Sequence, residues 1–340
     1  MNFYITIFKK TIKPKIWLSI TLSSLIAFSI LIFSINIIVD PYNITDYNLL
    51  NIKHKFTRDN RVEKLNYFKT LSTFSNIILG SSRVLAMNPS IVTDRLGGTT
   101  YNFGLAGASV EDQLGVLLYL QRENKLPKNI ILGVDYYTFN PKVAPNKYFL
   151  KNKELNFLTY NSYSNDYINI FFSFDALRAS MKTIKHHVLR KGVKSVFDNN
   201  GWAGAYEDYA QRDEKTDIIK VDKEIKDNLK IYYTNLEYSY IDLNRKAYYE
   251  KIKDICIKND ITLYVFTTPL HPKLLKILKS HPKTKRSLDE FINYLSTFQN
   301  FHNFYTDAKF NSELRHFHAS THTSTNAGDI ILKKVLLNDQ

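Results

Sequence analysis

Ile77-Ile78-Leu79-Gly80-Ser81-Ser82-Arg83 decides how this chain folds. An apolar run stops at a glycine, two serines follow, and the sequence beyond them is compatible with a helix. A buried strand that turns through small residues into a helix lifts a serine hydroxyl above a sheet edge. The free N–H groups and positive dipole end of the helix then face that hydroxyl. Such surroundings suit a nucleophile and the oxyanion it creates. The plain alternative is an ordinary strand–helix loop with a serine N-cap.

Outward from this stretch, Asn76–Gly80, Thr100–Leu105, Asn129–Phe139, Ile261–Thr267 and Phe301–Tyr305 have the length of buried strands. Segments of helical periodicity lie around and between them: Arg61–Leu71, Val110–Asn124, Leu243–Asn259, Ser287–Phe298 and Ala327–Leu337. Strands alternating with helices predict a parallel sheet in a three-layer α/β sandwich. Ligands of such sheets sit at the carboxyl ends of the strands, where Ser81 and Ser82 fall. The alternation lapses from about 141 to 227, a stretch rich in Tyr, Asn and Phe with one basic helical segment near Leu177–Lys191. It reads as an insertion or cap over the site. Within it, Trp202, Tyr206 and Tyr209 are candidates for stacking on a sugar ring, against a plainer role in packing.

The N-terminus carries a different signal. Ile16–Val39 contains no charged residue, and a helix of about 20 such residues spans a bilayer. Lys9, Lys10, Lys13 and Lys15 precede it, whereas Asp40 and Asp46 follow. The positive-inside rule puts the first residues in the cytoplasm and everything after Asp40 outside. A cleavable signal peptide would have a shorter apolar core and a small-residue cut site, which Asn36-Ile37-Ile38-Val39 does not offer. The expected organisation is a basic tail (1–15), an uncleaved anchor (16–39), a linker with an approach helix (40–75), and an extracytoplasmic or periplasmic domain (76–340).

The formal net charge of +14 is concentrated partly in Lys273, Lys276, Lys279, Lys283, Lys285 and Arg286. Outside a membrane such a cluster fits anionic lipid head groups or an acidic polymer, or simply solubilises the domain; nucleic acid is not an expected partner. The single Cys256 cannot form an internal disulfide and reads as core filler. His271 and His281 read as surface residues.

Three further segments fall at strand ends. Tyr101-Asn102-Phe103-Gly104-Leu105-Ala106-Gly107-Ala108 combines an asparagine with two glycines, Gly133-Val134-Asp135-Tyr136-Tyr137 closes the next strand, and His316-Phe317-His318-Ala319-Ser320-Thr321-His322 precedes the final helix. His316, His318 and His322 make only a weak zinc pattern, so no metal and no cofactor is expected.

In this order the blocks resemble the SGNH (GDSL-like) hydrolase superfamily over most of the chain from Asn76 onward. The similarity is to the membrane-anchored branch whose first block reads Gly-Ser-Ser. That branch includes proteins of cell-surface polysaccharide acetylation and the D-alanyl transfer protein of teichoic acids; Val39-Asp40-Pro41-Tyr42 also looks like it. The resemblance implies a flavodoxin-like sheet, Ser82 as nucleophile, the N–H groups of Ser82 and Gly107 as oxyanion hole, and His322 as base. Asn102, Asp135 and Arg83 are candidate accessory residues; Arg83 reads as a solvated or ion-paired side chain, with a grip on an anionic substrate as the alternative, and Asn102 could equally hold a loop through backbone bonds. The implied activity is O-acyl, chiefly O-acetyl, transfer to a cell-envelope polysaccharide beside a membrane acyltransferase of the MBOAT type that supplies the acyl donor. The sequence departs from the family at two positions. Ala319 stands where the Asp-x-x-His motif has its acid, and Asp135 replaces an asparagine. Asp307 is a candidate substitute for the missing acid. An esterase of the same fold, or a scaffold that has lost catalysis, are the rival readings.

Overall fold

The computed structural model describes residues 14–41, 60–71, 73–145, 149, 154–155, 171–189, 197–203, 221–227 and 237–339. Most of the tail 1–15, most of the 40–75 linker, Tyr206 and Tyr209 lie outside them. The chain divides into two compact units, residues 1–55 with 164–193, and residues 56–163 with 194–340.

In the first unit, α1 (Pro14–Val39) is 26 residues long and holds an 18-residue stretch of mean hydropathy 2.4, long and apolar enough to cross a membrane. It contacts the helix Phe174–Val188, where the sequence signals a basic helical segment.

The second unit is built on five parallel strands. They are β1 (Asn76–Leu79), β2 (Thr100–Asn102), β3 (Asn129–Val134), β4 (Thr262–Thr267) and β5 (Asn300–His302), ordered β2-β1-β3-β4-β5. Ile77 pairs with Tyr101 on one side and Ile130 on the other. Both faces of β1 are buried, which is why its sequence is continuously apolar rather than alternating. Successive side chains go to opposite layers. Ile77, Leu79, Ile130 and Leu132 join one cluster, Ile78 and Ile131 the other.

Among the described residues, the remaining named helices in chain order are α2 (Asn60–Thr70), α3 (Pro89–Leu96), α4 (Val110–Arg122), α5 (Phe174–Val188, in the first unit), α6 (Leu243–Lys258), α7 (Pro272–Ser280), α8 (Pro282–Leu295), α9 (Ala308–Ser312) and α10 (Thr325–Val335), with a further helical segment at 221–227. Helices α2, α4, α6, α7 and α8 contribute to the first cluster, α3 and α10 to the second.

The structure corrects several expectations. β3 ends at Val134, and Tyr136–Phe139 is a 3₁₀ turn rather than strand. Helix α7, carrying Lys273, Lys276 and Lys279, was not foreseen, and α8 starts at Pro282, ahead of Ser287. Both begin with a proline in the first turn, where its missing N–H costs nothing.

The most consequential difference follows Ser82, where no regular helix begins. Val84 N–H donates to Ser81 O (3.2 Å) and Met87 N–H to Val84 O (3.0 Å), a chain of turns that gives way to α3 only at Pro89. The side-chain amide of Asn102 donates to the carbonyls of Val84 (2.8 Å) and Met87 (2.9 Å), taking acceptors that a helix would use. The Val84 side chain drops into a notch left by three glycines. A Cβ on Gly80, Gly104 or Gly133 would lie 2.7, 2.7 or 2.6 Å from its methyl groups. Helix-dipole stabilisation at Ser82 is therefore not part of this site.

Candidate active site

Ser82 leaves the carboxyl end of β1, which lies between β2 and β3, where the strand order reverses. Crevices at such points hold the ligands of open α/β sheets. Of the two serines, Ser81 is buried and its Oγ accepts from the Arg83 N–H (3.3 Å), while Ser82 is partly exposed. Ser82 Oγ lies 2.9 Å from Nε2 of His322. Two residues 240 positions apart thus meet at the distance needed for proton transfer from hydroxyl to imidazole.

The loop bearing His322 is held from several sides. Phe317 is fully buried in the second cluster and bridges Thr323 in antiparallel fashion, and Ser324 N–H donates to His316 O (2.8 Å). Across the tip, Ala319 N–H points to His322 O (3.4 Å). His316 and His318 each place Nδ1 against a backbone carbonyl, of Phe310 and Thr323 respectively. Among the described residues no group of three or more His, Cys, Asp or Glu side chains is placed to hold a metal ion.

With Nε2 accepting from Ser82, Nδ1 of His322 carries the proton, and Thr321 Oγ1 lies 3.2 Å from it. That hydroxyl can accept the Nδ1 proton and itself carries no formal charge. Asp307 does not stand in for the acid that the motif lacks at Ala319. Its carboxylate accepts from Lys334 Nζ (2.6 Å), from the Phe310 N–H (2.9 Å) and from His302 Nε2 (3.4 Å). Burial opposes its ionisation, yet these bonds together hold its carboxyl below the usual range.

Two supports of this loop carry no signal in sequence spacing. Glu224, on the helical segment 221–227, accepts from both the Ser320 N–H and the Ser320 Oγ (3.1 Å each). His271, expected at the surface, is buried. Its N–H donates to Ser320 O (2.9 Å), its ring packs edgewise on Phe317 (5.4 Å), and burial pushes its imidazole below the ordinary value.

Arg83 and Asp135 are brought together beneath the nucleophile turn rather than presented to a substrate. The Arg83 guanidinium lies 2.9 Å from Asp135 Oδ1 and donates to Thr268 Oγ1 (3.0 Å), with both charged side chains nearly or fully buried. The Tyr137 ring covers Arg83 at 5.5 Å, and its hydroxyl donates to Ala108 O (2.7 Å). Burial, reinforced by the Asp135 charge, raises the Tyr137 phenol and keeps it protonated as that donor. Arg83 is thus the ion-paired side chain of the plainer reading, and it locks the turn.

The segment containing Gly107 is tied to the same turn. Leu105 N–H donates to Gly80 O (3.0 Å), and Gly107 is exposed beyond it at φ +60°, which favours glycine. Asn102, fully buried, spends its amide on Val84, Met87 and the Gly104 N–H (2.9 Å), so it shapes the loops without facing the crevice. Helix α2, read from sequence only as an approach segment, clamps this loop. Asn60 donates to Gly104 O and accepts from the Ala106 N–H (both 3.0 Å), and Lys64 Nζ donates to Asn102 O (2.7 Å). Arg61 makes a bidentate pair with Asp112 at 2.7 and 3.0 Å, both side chains being fully buried.

Trp202 lies beside the nucleophile turn but is committed to packing. Its indole N–H donates to Ala86 O (2.9 Å), while Asn102 N–H donates to Asn200 O (2.8 Å) along the outer edge of β2. No family model matches the chain, and no curated protein matches it.

Proposed function

We propose that this protein is a membrane-anchored, SGNH-like acyl carrier enzyme that transfers an O-acyl group, chiefly acetyl, to a cell-envelope polysaccharide through an ester on Ser82. The 2.9 Å contact between Ser82 Oγ and His322 Nε2 at the carboxyl end of β1 carries this reading. The strand order 2-1-3-4-5 is the flavodoxin-like one and supports the family resemblance. In the proposed reaction His322 Nε2 takes the Ser82 proton as Oγ adds to the acyl carbonyl. The N–H groups of Ser82 and Gly107 bear the oxyanion, and His322 returns the proton to the departing group. A polysaccharide hydroxyl, deprotonated by His322, then attacks the ester carbonyl, and His322 passes that proton to Ser82 Oγ as the Oγ–acyl bond breaks. The donor side is assigned to an MBOAT-type partner in the membrane that α1 is suited to enter.

The test uses an activated acetyl ester and the full chain in detergent, with and without an acidic polysaccharide as acceptor. A transferase moves acetyl to polymer hydroxyls and turns over faster when polymer is added. An esterase releases acetate at a rate the polymer leaves unchanged, and a scaffold consumes no ester.

Ala319 stands where the family's motif has its acid, and that departure predicts slow chemistry. Ala319 faces His322 directly across the turn, so Ala319→Asp brings a carboxylate to the loop. A charged acceptor added beside the imidazole is worth about 1–2 kcal/mol, roughly a 5–30-fold gain in turnover. Steady-state rates of parent and variant check this; an unchanged rate in a folded variant counts against His322 as the base.

A further inference from the structure

Helix α5 presents three distinct faces. Ala176, Ser180 and Thr183, spaced i, i+4, i+7, are buried. This face meets α1 at Asn36, itself fully buried, whose amide donates to Phe171 O (2.7 Å) and Ser173 O (3.3 Å) and accepts from Ser180 Oγ (2.9 Å). Small residues allow the two backbones to approach, and a bonded asparagine fixes their register, a combination suited to helix pairs in lipid. The ring of Phe33 stacks on Phe172 (4.7 Å), and Phe28 meets Phe174 (6.2 Å).

The second face carries Phe174, Leu177, Met181, Ile184 and Val188 at i, i+3, i+7, i+10, i+14. Phe174, Met181 and Val188 are 59, 57 and 69 % exposed. A stripe so apolar and so open needs a cover. The third face, on the far side of that stripe, bears Asp175, Arg178, Lys182 and Lys185. The apolar stripe is continuous, through the Phe28–Phe174 contact, with the exposed Leu25, Ile26 and Leu31 of α1, the surface that a bilayer would cover.

We infer that α5 is a second membrane element, an interfacial helix whose apolar stripe lies among acyl chains while Arg178, Lys182 and Lys185 reach the anionic head groups. At 15 residues it is too short to span, and an apolar face edged by Lys and Arg is the pattern of helices lying in the interface. The two helices would give the anchor a fixed orientation about α1 that one smooth helix cannot supply. This inference rests on reading α1 as a membrane span.

The test places a fluorophore on single engineered thiols, Met181→Cys, Val188→Cys, Lys182→Cys and, on the anchor, Leu25→Cys; buried Cys256 stays unlabelled. The full chain is reconstituted in phosphatidylcholine–phosphatidylglycerol vesicles and probed with a lipid-borne nitroxide and with aqueous iodide. The Met181 and Val188 probes should lose most of their emission to the nitroxide and little to iodide, with the reverse at Lys182. Iodide quenching of Met181 equal to that of Lys182 overturns the inference. So does shielding from both quenchers, which would mean that protein covers the stripe. If the Leu25 probe is lipid-quenched and Met181 is not, only the inference about α5 falls; if Leu25 also escapes the nitroxide, the anchor reading falls with it.

Discussion

Ser82→Ala is expected to lower turnover of an activated acetyl ester by about 10⁶-fold, or to background, because nucleophile and base act as a unit and losing either removes the covalent route. Ser81→Ala is the matched control. Its hydroxyl is buried and bonded to the Arg83 N–H, so its loss costs about 0.5–1.5 kcal/mol of stability and leaves measurable turnover. Rates of the two variants on the same preparation, with circular dichroism to show that both are folded, separate the roles. Equal loss in both would mean that the turn, rather than the Ser82 hydroxyl, had been damaged.

The second large effect is on stability. Arg61→Ala strips the guanidinium from Asp112, leaving a fully buried carboxylate that still accepts the Ser109 N–H (3.1 Å). Breaking a buried pair from one side costs about 3–5 kcal/mol, a large part of the about 5–15 kcal/mol that holds a domain together. The damage should reach the site, because Arg61 Nη1 also donates to Ala106 O (3.3 Å), next to Gly107. Urea unfolding followed by tryptophan fluorescence measures the loss. The double variant Arg61→Met, Asp112→Asn, which removes both charges and keeps an acceptor for the helix cap, should recover most of it. A single variant as stable as the parent would show that the pair contributes nothing net.

Much of the sheet is legible in the sequence because its strands are buried on both faces. Ile77-Ile78-Leu79 and Ile130-Ile131-Leu132 are continuous apolar runs, and each lies within a strand of the structure. Their right-hand boundaries were less legible, since Tyr136–Phe139 is as apolar as a strand yet folds into a 3₁₀ turn. Helix α7 was hidden by its lysines, which diluted a pattern whose buried members are Leu274, Leu275 and Leu278. The turn after Ser82 looked helical because nothing local reveals that Asn102, on another strand, would take the carbonyls of Val84 and Met87.

The same reasoning applies to the site. Ser82 and His322 were legible through the resemblance of local blocks to the SGNH superfamily, a Gly-Ser-Ser at a strand end and a histidine before a last helix. Their supports are single polar residues brought in from elsewhere, Glu224 and His271 to the His322 loop, Asn60 and Arg61 to the Gly107 loop. Each resembles an ordinary solvated side chain until the fold buries or pairs it.

The central claim is that Ser82 and His322 form a working nucleophile and base. Its most direct test is stoichiometric reaction of the full chain with a fluorophosphonate, followed by peptide mapping. The account predicts one phosphonyl group per chain, on Ser82, with labelling lost in Ser82→Ala and strongly slowed in His322→Ala. A folded protein that takes up no label, or one labelled on another residue, would contradict it.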